Sequence, residues 1–341
     1  MPPLTLPHRF ATEPLYTLKI AVVIVNYNSG PLLSRCMDHL QRQTRPADSI
    51  LVIDNASQDN SLAELAPHPA LTIHRLEENV GFAAANNFAF KQATDADYFI
   101  TLNPDAFAGE DFIQTLETAA KQHPLVSSFA SRMMLDDTTV DGAGDTYHVS
   151  GLAWRNLHKQ RYLPGEHQIR EVFSPCAGAA MYRARDIIEL GGFDESFFCY
   201  MEDVDLGYRM QLRAMRCLYI PEAVVQHLGS AVVNKYPGFA IYHGHRNLVW
   251  ALLKNTPAAL LPIVLTANLL MTALLGLVYL SRGEFRPYLQ AKLDALRKPE
   301  QVWHNRKQVQ SSRVVSNWQL LRCYNFGLSR RAGLLFASGR R

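Results

Sequence analysis

A series of short apolar runs, each closed by polar residues, limits this chain to few folds. Residues 19–26 read KIAVVIVN. The run is rich in β-branched side chains and does not alternate, as expected of a strand buried on both faces in a parallel sheet. It ends in Asn26-Tyr27-Asn28-Ser29-Gly30, and the next segment places Leu32, Leu33, Cys36, Met37 and Leu40 on one helical face. A second run, 49–53, ends in Asp54. A third spans 71–76, a helix is expected near 82–93, and a fourth run, 98–102, ends in Asn103-Pro104-Asp105. Strands alternating with helices predict an α/β fold with a doubly wound parallel sheet. Ligands of such sheets bind at the carboxyl ends of the strands. Any one of these polar ends reads equally well as a turn or a helix cap; three at successive strand ends point to a shared site.

The chemistry of that site can be narrowed by exclusion. No Gly-x-Gly-x-x-Gly follows the first run and no Gly-x-x-x-x-Gly-Lys-Ser/Thr occurs, which argues against a usual dinucleotide site or a P-loop. Asp54 can accept a hydrogen bond from a pyrimidine N3–H or a ribose hydroxyl. Asp105 is a hard oxygen ligand suited to Mg²⁺ or Mn²⁺ holding a diphosphate.

A third element lies at residues 191–210, GGFDESFFCYMEDVDLGYRM. Aromatic residues lead into Glu202-Asp203, where a helical pattern begins. Burial beside aromatics raises a carboxylate pKa and a helix N-terminus lowers it. A carboxylate balanced between the two can be ionised at neutral pH and still accept a proton, as a general base must. Asp203 read alone is equally an N-cap. Together the three elements describe transfer of a group from a nucleotide-diphosphate carrier to a hydroxyl. With one base and no evident second nucleophile, the transfer would be a single displacement with inversion.

The chain resembles the family 2 glycosyltransferases of GT-A fold, within them the rhamnosyltransferase-like enzymes of bacterial surface-polysaccharide synthesis. The matching segments are VVIVNYNSG (22–30), VIDNASQDNS (52–61), ENVGFAAANNFAF (78–90), LNPDA (102–106), CAGAAMYRARDIIELGGFDESFFCYMEDVDLGYRM (176–210) and VVQHLGS (224–230). The resemblance implies a GT-A type, Rossmann-like nucleotide-binding sheet. It implies that Val25, Asn26, Tyr27 and Asn28 wrap the nucleobase, and that Asp54 binds base or ribose. Asn79, Gly81 and Asn86 would contact the nucleotide. Asn103 and Asp105 stand where the family has its Asp-x-Asp metal motif, with Asn replacing the first Asp. Cys176, Ala177 and Gly178 would pack close to donor and acceptor. Glu202 and Asp203 would form the catalytic pair, and His227 would complete the metal or diphosphate site. The implied donor is a pyrimidine nucleotide sugar, dTDP-rhamnose or a UDP-sugar.

Composition agrees with a reduced, cytoplasmic protein: five scattered cysteines, no Cys-x-x-Cys and no charged-then-apolar leader in the 341 residues. Residues 1–16, with four prolines, are expected to be a loose arm. Residues 17–235 would form the catalytic domain, divided into a donor half (17–106) and an acceptor half (107–235). The stretch 136–171, with glycines, Trp154, Arg155, His158, Lys159 and Arg161, reads as a mobile basic loop over the site or as plain surface.

The last part, 236–341, is expected to be helical and membrane-associating; 242–254 reads as a helix, and its Arg246-Asn247 resembles a similar Arg-Asn pair of the family. No charge occurs between Lys254 and Arg282, although Pro257, Pro262, Asn268 and Gly276 interrupt the apolar segment, and residues 301–341 carry eight Lys/Arg and no acid. A basic tail prefers the cytoplasmic leaflet, and nucleotide sugars are cytoplasmic, so one crossing would separate tail from substrate. An in-plane apolar element on the anionic cytoplasmic face of the inner membrane fits both; a buried helix of a soluble oligomer is the plainer reading. A membrane location points to a polyprenyl-diphosphate-linked glycan acceptor and to no nucleic-acid partner. Two other classes remain open: a non-catalytic nucleotide-sugar-binding membrane subunit, and a nucleotidyltransferase. Asp105 with Glu202-Asp203 disfavours the first, and the absence of a cation in 26–30 disfavours the second.

Overall fold

The computed structural model describes residues 17–163, 168–229, 238–297 and 299–327. The arm expected over 1–16, residues 164–167 of the basic loop, the 235/236 boundary and the tail from 328 onward lie outside the described residues.

In chain order the elements are β1 (Ile20–Asn26), α1 (Pro31–Gln41), β2 (Ser49–Asp54), β3 (Leu71–Arg75), α2 (Gly81–Gln92), β4 (Tyr98–Leu102), β5 (Ala106–Ala108), α3 (Phe112–Gln122), β6 (Ser128–Met134), β7 (Val140–Ala143), β8 (Asp145–Tyr147), β9 (Ala153–Arg155), β10 (Arg170–Val172), β11 (Ala179–Arg183), α4 (Ala184–Glu189), α5 (Glu202–Leu212), β12 (Cys217–His227), α6 (Phe239–Asn255), α7 (Leu261–Ser281), α8 (Phe285–Arg297), α9 (Pro299–Ser311) and α10 (Asn317–Arg322). The main sheet runs β10-β12-β6-β11-β4-β1-β2-β3, with β5 on β12 and β7 on β6.

The apolar runs form the expected strands. β4, β1, β2 and β3 are parallel, and β1 is buried throughout, with both faces covered. The sheet as a whole is mixed, which corrects the all-parallel expectation. β11 enters antiparallel between β4 and β6. Its AAMYR run carries no sign of direction, because a strand buried on both faces looks alike either way. One consequence governs the site. The carboxyl ends of β1, β2, β4 and β12 and the amino end of β11 all lie on the same edge.

Two cores flank this sheet. One packs α1 and α3 beneath Ile20, Val22, Ile24 and Val52; the other packs α2 and α5 against Val23, Val25 and Phe99. A third joins Tyr147, Phe173 and Tyr208 to Leu248 and Leu252 of α6 and to Tyr279, Tyr288 and Tyr324. The C-terminal helices therefore share a core with α5 and the 145–153 segment. Lys254 Nζ, 2.7 Å from Asp205, and Asn255, 2.7 Å from the same carboxylate, tie the end of α6 to α5.

The described part of 136–171 contains short strands where a loop was expected. β7 pairs with β6 and β8 with β9. Strands this short, interrupted by Gly142, Gly144 and Gly151, show no readable alternation. α7 is likewise unbroken over 21 residues. Pro262 sits in its first turn, where no intrahelical N–H is lost. Gly276 lies against Phe285 and Tyr288 at the α7–α8 contact.

Candidate active site

Strand register assembles the site. Asn26 faces Asp54 across the β1–β2 ladder. Leu102 faces Ala179, so the 103–105 loop meets the 176–178 turn. Ala106 faces His227, which brings Asp105 to the end of β12.

The donor-side residues form a braced cradle. Asn26 is wholly buried. Its Nδ2 donates to Asp54 at 2.9 Å and to Ser61 at 2.8 Å, and its Oδ1 accepts from Ser29. Its side chain thus braces the loops, and Val25 packs in the core. Tyr27 and Asn28 are half-buried. Asn28, at φ 49°, accepts from the Gln58 amide at 2.8 Å. Asn79 accepts from Asn55 at 2.8 Å and from the Gly81 amide at 3.0 Å. Gly81, at φ +88°, passes so close to Phe198 that a Cβ there would meet its ring at 2.5 Å. Asn86 donates to Phe82 O at 2.9 Å, while its buried Oδ1 has no partner.

The metal-motif residues lie beside a histidine. His227 Nε2 is 3.4 Å from Asp105 Oδ1 and 3.5 Å from Asn103 Nδ2. On its other side, Nδ1 meets Asp141 at 2.8 Å. Burial opposes charge on His227, but the two carboxylates prevail and raise its pKa to about 9. Asp141 is buried too, yet Arg155, His158 and His227 hold it well below the ordinary carboxylate value. A carboxylate behind a histidine that faces a second carboxylate is the arrangement that orients a metal-binding imidazole. No cluster of three or more His, Cys, Asp or Glu suited to a metal occurs among the described residues. The pair Asp105–His227 fits a divalent ion that would displace the His227 Nε2 proton and take its remaining ligands from a diphosphate and water.

Glu202 and Asp203 open α5. The N-cap is Met201, at φ 67°, so the N-cap reading of Asp203 is set aside. Its Oδ2 accepts from the Ala177 amide at 3.0 Å and its Oδ1 from the Val204 amide at 2.8 Å. Burial raises the Asp203 carboxyl above its ordinary value, and these amides with Arg155 pull it back. Glu202 is buried deeper and its Oε2 has no partner. Burial and the neighbouring Asp203 push it well above the usual value. The pair therefore divides, with burial pushing Glu202 well up and the amides that reach Asp203, the half-exposed member, holding it lower. Burial raises the Cys176 thiol far above its usual value, so it is no nucleophile. Ala177 is buried, and Gly178 sits against Asn103, where a Cβ would meet Nδ2 at 3.1 Å.

Sequence reasoning missed Asp141 and Asp145. Asp145, buried and bonded to Ser174 at 3.1 Å, is raised by burial and by Asp203. Neither sits in a motif or at a long strand's end. It also missed how the base is delivered. Phe198, Tyr200 and Met201 all have positive φ, an uncommon state for such side chains. Asn247 Nδ2, on α6, holds this loop through Phe197 O at 3.0 Å, Cys199 O at 3.0 Å and Tyr200 O at 2.7 Å, and Arg246 donates to Phe197 O at 3.1 Å. Asn247→Ala is expected to lower kcat roughly 10- to 100-fold by displacing the carboxylate, with little change in donor affinity. Steady-state kinetics beside donor calorimetry would test this; unchanged kcat would refute the clamp.

The family model described as "Glycosyl transferase family 2" matches residues 21–191, just over half of the chain. An N-acetylglucosaminyl-diphospho-decaprenol L-rhamnosyltransferase of Mycobacterium tuberculosis is 28% identical over 254 residues, covering 67% of this chain and 82% of that protein. The O-antigen chain rhamnosyltransferase RfbN of Salmonella typhimurium is 27% identical, covering 62% of this chain and 66% of its own length. Among solved structures, GalNAc-T7 with UDP, GalNAc and Mn²⁺ superposes with a TM-score of 0.57 at 17% identity, over 71% of this chain and 48% of that one. The mannosyltransferase PcManGT of Pyrobaculum calidifontis, with GDP-Man and Mn²⁺, gives 0.53 at 18% identity, over 90% and 89%. These likenesses show the GT-A fold.

Proposed function

The chain belongs to glycosyl transferase family 2 and is a glycosyltransferase, and from that membership we propose that it moves L-rhamnose, with inversion, from a pyrimidine nucleotide-diphosphate donor to a hydroxyl of a polyprenyl-diphosphate-linked glycan. The observation that carries the chemistry is Asp203, held at the sheet's ligand edge by two backbone amides. In one displacement the acceptor oxygen bonds to the anomeric carbon, its proton passes to Asp203, and the C–O bond electrons leave with the diphosphate. Glu202, pushed up by burial and by the neighbouring Asp203, is the weaker acid of the two. The Val25–Asn28 loop, Asp54, Asn79, Gly81, Asn86 and Asn103 would cradle the donor. Asp105 and His227 would hold Mg²⁺ or Mn²⁺, which when bound neutralises charge on the departing diphosphate. Arg155 stays protonated beside Asp141 and supplies positive charge near Asp203. The rhamnose and the lipid-linked acceptor rest on the named activities of the relatives.

A membrane surface is supported by α7, the described helix long and apolar enough to cross a bilayer. One side of it is bound along its length to the protein: Val264 and Leu275 are buried, Asn268 donates to Ser150 O at 2.7 Å, and Tyr279 pairs with His245 at 2.9 Å. The other side exposes Ile263, Leu269, Leu270, Leu274, Leu277 and Leu280, continued by Leu289, Leu293 and Leu296 of α8. A helix fastened lengthwise to a soluble core cannot cross a bilayer without drawing that core in with it. The α7–α8 pair therefore lies in the cytoplasmic leaflet as a monotopic surface.

The deciding experiment is turnover with a panel of nucleotide sugars and a membrane lipid extract, read by mass spectrometry. A rhamnosylated polyprenyl-diphosphate product from dTDP-rhamnose is expected. Calorimetry should show dTDP or UDP binding ahead of GDP and ADP. Tighter binding of a purine diphosphate would reject this reading of the cradle.

A further inference from the structure

Away from the active site, a groove of about 520 Å³ lies between the residues leading into α7 and α9. Arg306, Lys307 and Arg313 line it together with Trp303, and no carboxylate does among the described residues. None of the three cations is in an ion pair among the described residues. Arg306 is held in place: its Nη1 donates to Leu253 O and Thr256 O, each at 2.6 Å. Those carbonyls lie toward the carboxyl end of α6, about 9 and 13 Å along the helix from Asn247. Exposed Ala258 and Ala259 also line it and lead into the amino end of α7, where the helix dipole favours an anion. Fixed positive charge and the turn that leads into α7 thus line the same space.

The position of the groove identifies the anion. α7 begins here and carries the exposed leucine stripe toward its other end. Trp303 is 51% exposed, and a tryptophan at the edge of an apolar surface sits at the level of lipid headgroups. We propose that this groove binds the phosphate of an anionic lipid headgroup, fixing how the α7–α8 surface sits on the leaflet. The proposal rests on the membrane reading above, and its ligand class is a phosphate ester.

The test is co-sedimentation of the full chain with vesicles of phosphatidylcholine alone or with added phosphatidylglycerol. The wild type should bind the neutral vesicles through α7 and the anionic ones roughly tenfold more tightly. The double variant K307E/R313E should bind neutral vesicles as the wild type does and lose the anionic gain. K307E alone, at an exposed position, should lose part of it and guards against misfolding of the double variant. A control with the same charge change elsewhere, R42E/K91E, should keep the gain. Persistence of the gain in K307E/R313E, or an equal loss in the control, would overturn the site. Inorganic phosphate at constant ionic strength should leave the gain intact; its abolition would assign the groove to a soluble phosphate and overturn the lipid. Failure of the wild type to bind any vesicle would overturn the membrane reading and the site with it, an outcome distinct from loss of the anionic gain alone.

Discussion

Asp203→Asn is expected to lower turnover roughly 10²–10⁴-fold, the range for a lost general base, while donor binding and the fold persist. Asn keeps the shape of the side chain but has one acceptor oxygen where Asp203 uses two, for Ala177 and Val204. One amide therefore loses its partner. Against this stands a gain. Because burial raises the folded-state pKa of Asp203, its contribution to stability is fully present below the unfolded carboxylate value and is lost as pH rises through the folded value. At neutral pH the ionised side chain costs stability, and Asn removes that cost. The two effects oppose, so the melting temperature should stay near the wild-type value, within about 1 kcal/mol in stability. The wild-type pH profile should rise as Asp203 loses its proton, at a pH above the ordinary aspartate value, and this limb should vanish in the variant. Glu202→Gln is the contrast. Burial and Asp203 push the Glu202 carboxyl well above its usual value, so a neutral amide should retain most activity. Near-wild-type kcat in Asp203→Asn, or equal losses at both positions, would remove Asp203 as the base.

The parts legible in sequence were those with local signals. β1, β2 and β4 announce themselves because strands buried on both faces need unbroken β-branched runs, and their polar ends mark the ligand edge. The helical start at Glu202 shows in the change from aromatic run to helical period. What sequence withheld depends on partners distant along the chain. Asp141 acts through His227, 86 residues away, and Asn247 acts on a loop 47 to 50 residues earlier. Asp141 has no pattern of its own, and the Arg246-Asn247 pair, though it resembles one in the family, does not name the loop it holds. The antiparallel entry of β11 was hidden for the same reason, since pairing partners and not composition set direction. The proline and glycine of α7 misled in the opposite sense. Each reads as a break in isolation, yet one sits in a first turn and the other in a close helix contact.

Asp105→Ala is expected to lower kcat/KM by roughly 10²-fold or more, the cost of losing several kcal/mol of charge stabilisation at the diphosphate, and excess chelator should do the same to the wild type. Asp105 and His227 are the two donors the strand register brings together, and Asn103, a weak ligand, replaces the further carboxylate that the motif would otherwise supply. With so few protein ligands, an ion gains much of its coordination from the nucleotide diphosphate. Mn²⁺ and nucleoside diphosphate should therefore bind cooperatively, each weakly alone, by calorimetry. Asp141→Asn grades the effect. Asp141 touches no substrate in this reading but holds His227 Nδ1 at 2.8 Å, and loss of such an outer partner typically weakens metal affinity 10- to 100-fold. Its deficit should be recovered by raising the Mn²⁺ concentration, whereas Asp105→Ala should not be rescued in this way. Full wild-type activity in excess chelator would eliminate the metal from the reaction. An unrescued Asp141→Asn with native stability would place that carboxylate in the chemistry itself, not behind the histidine.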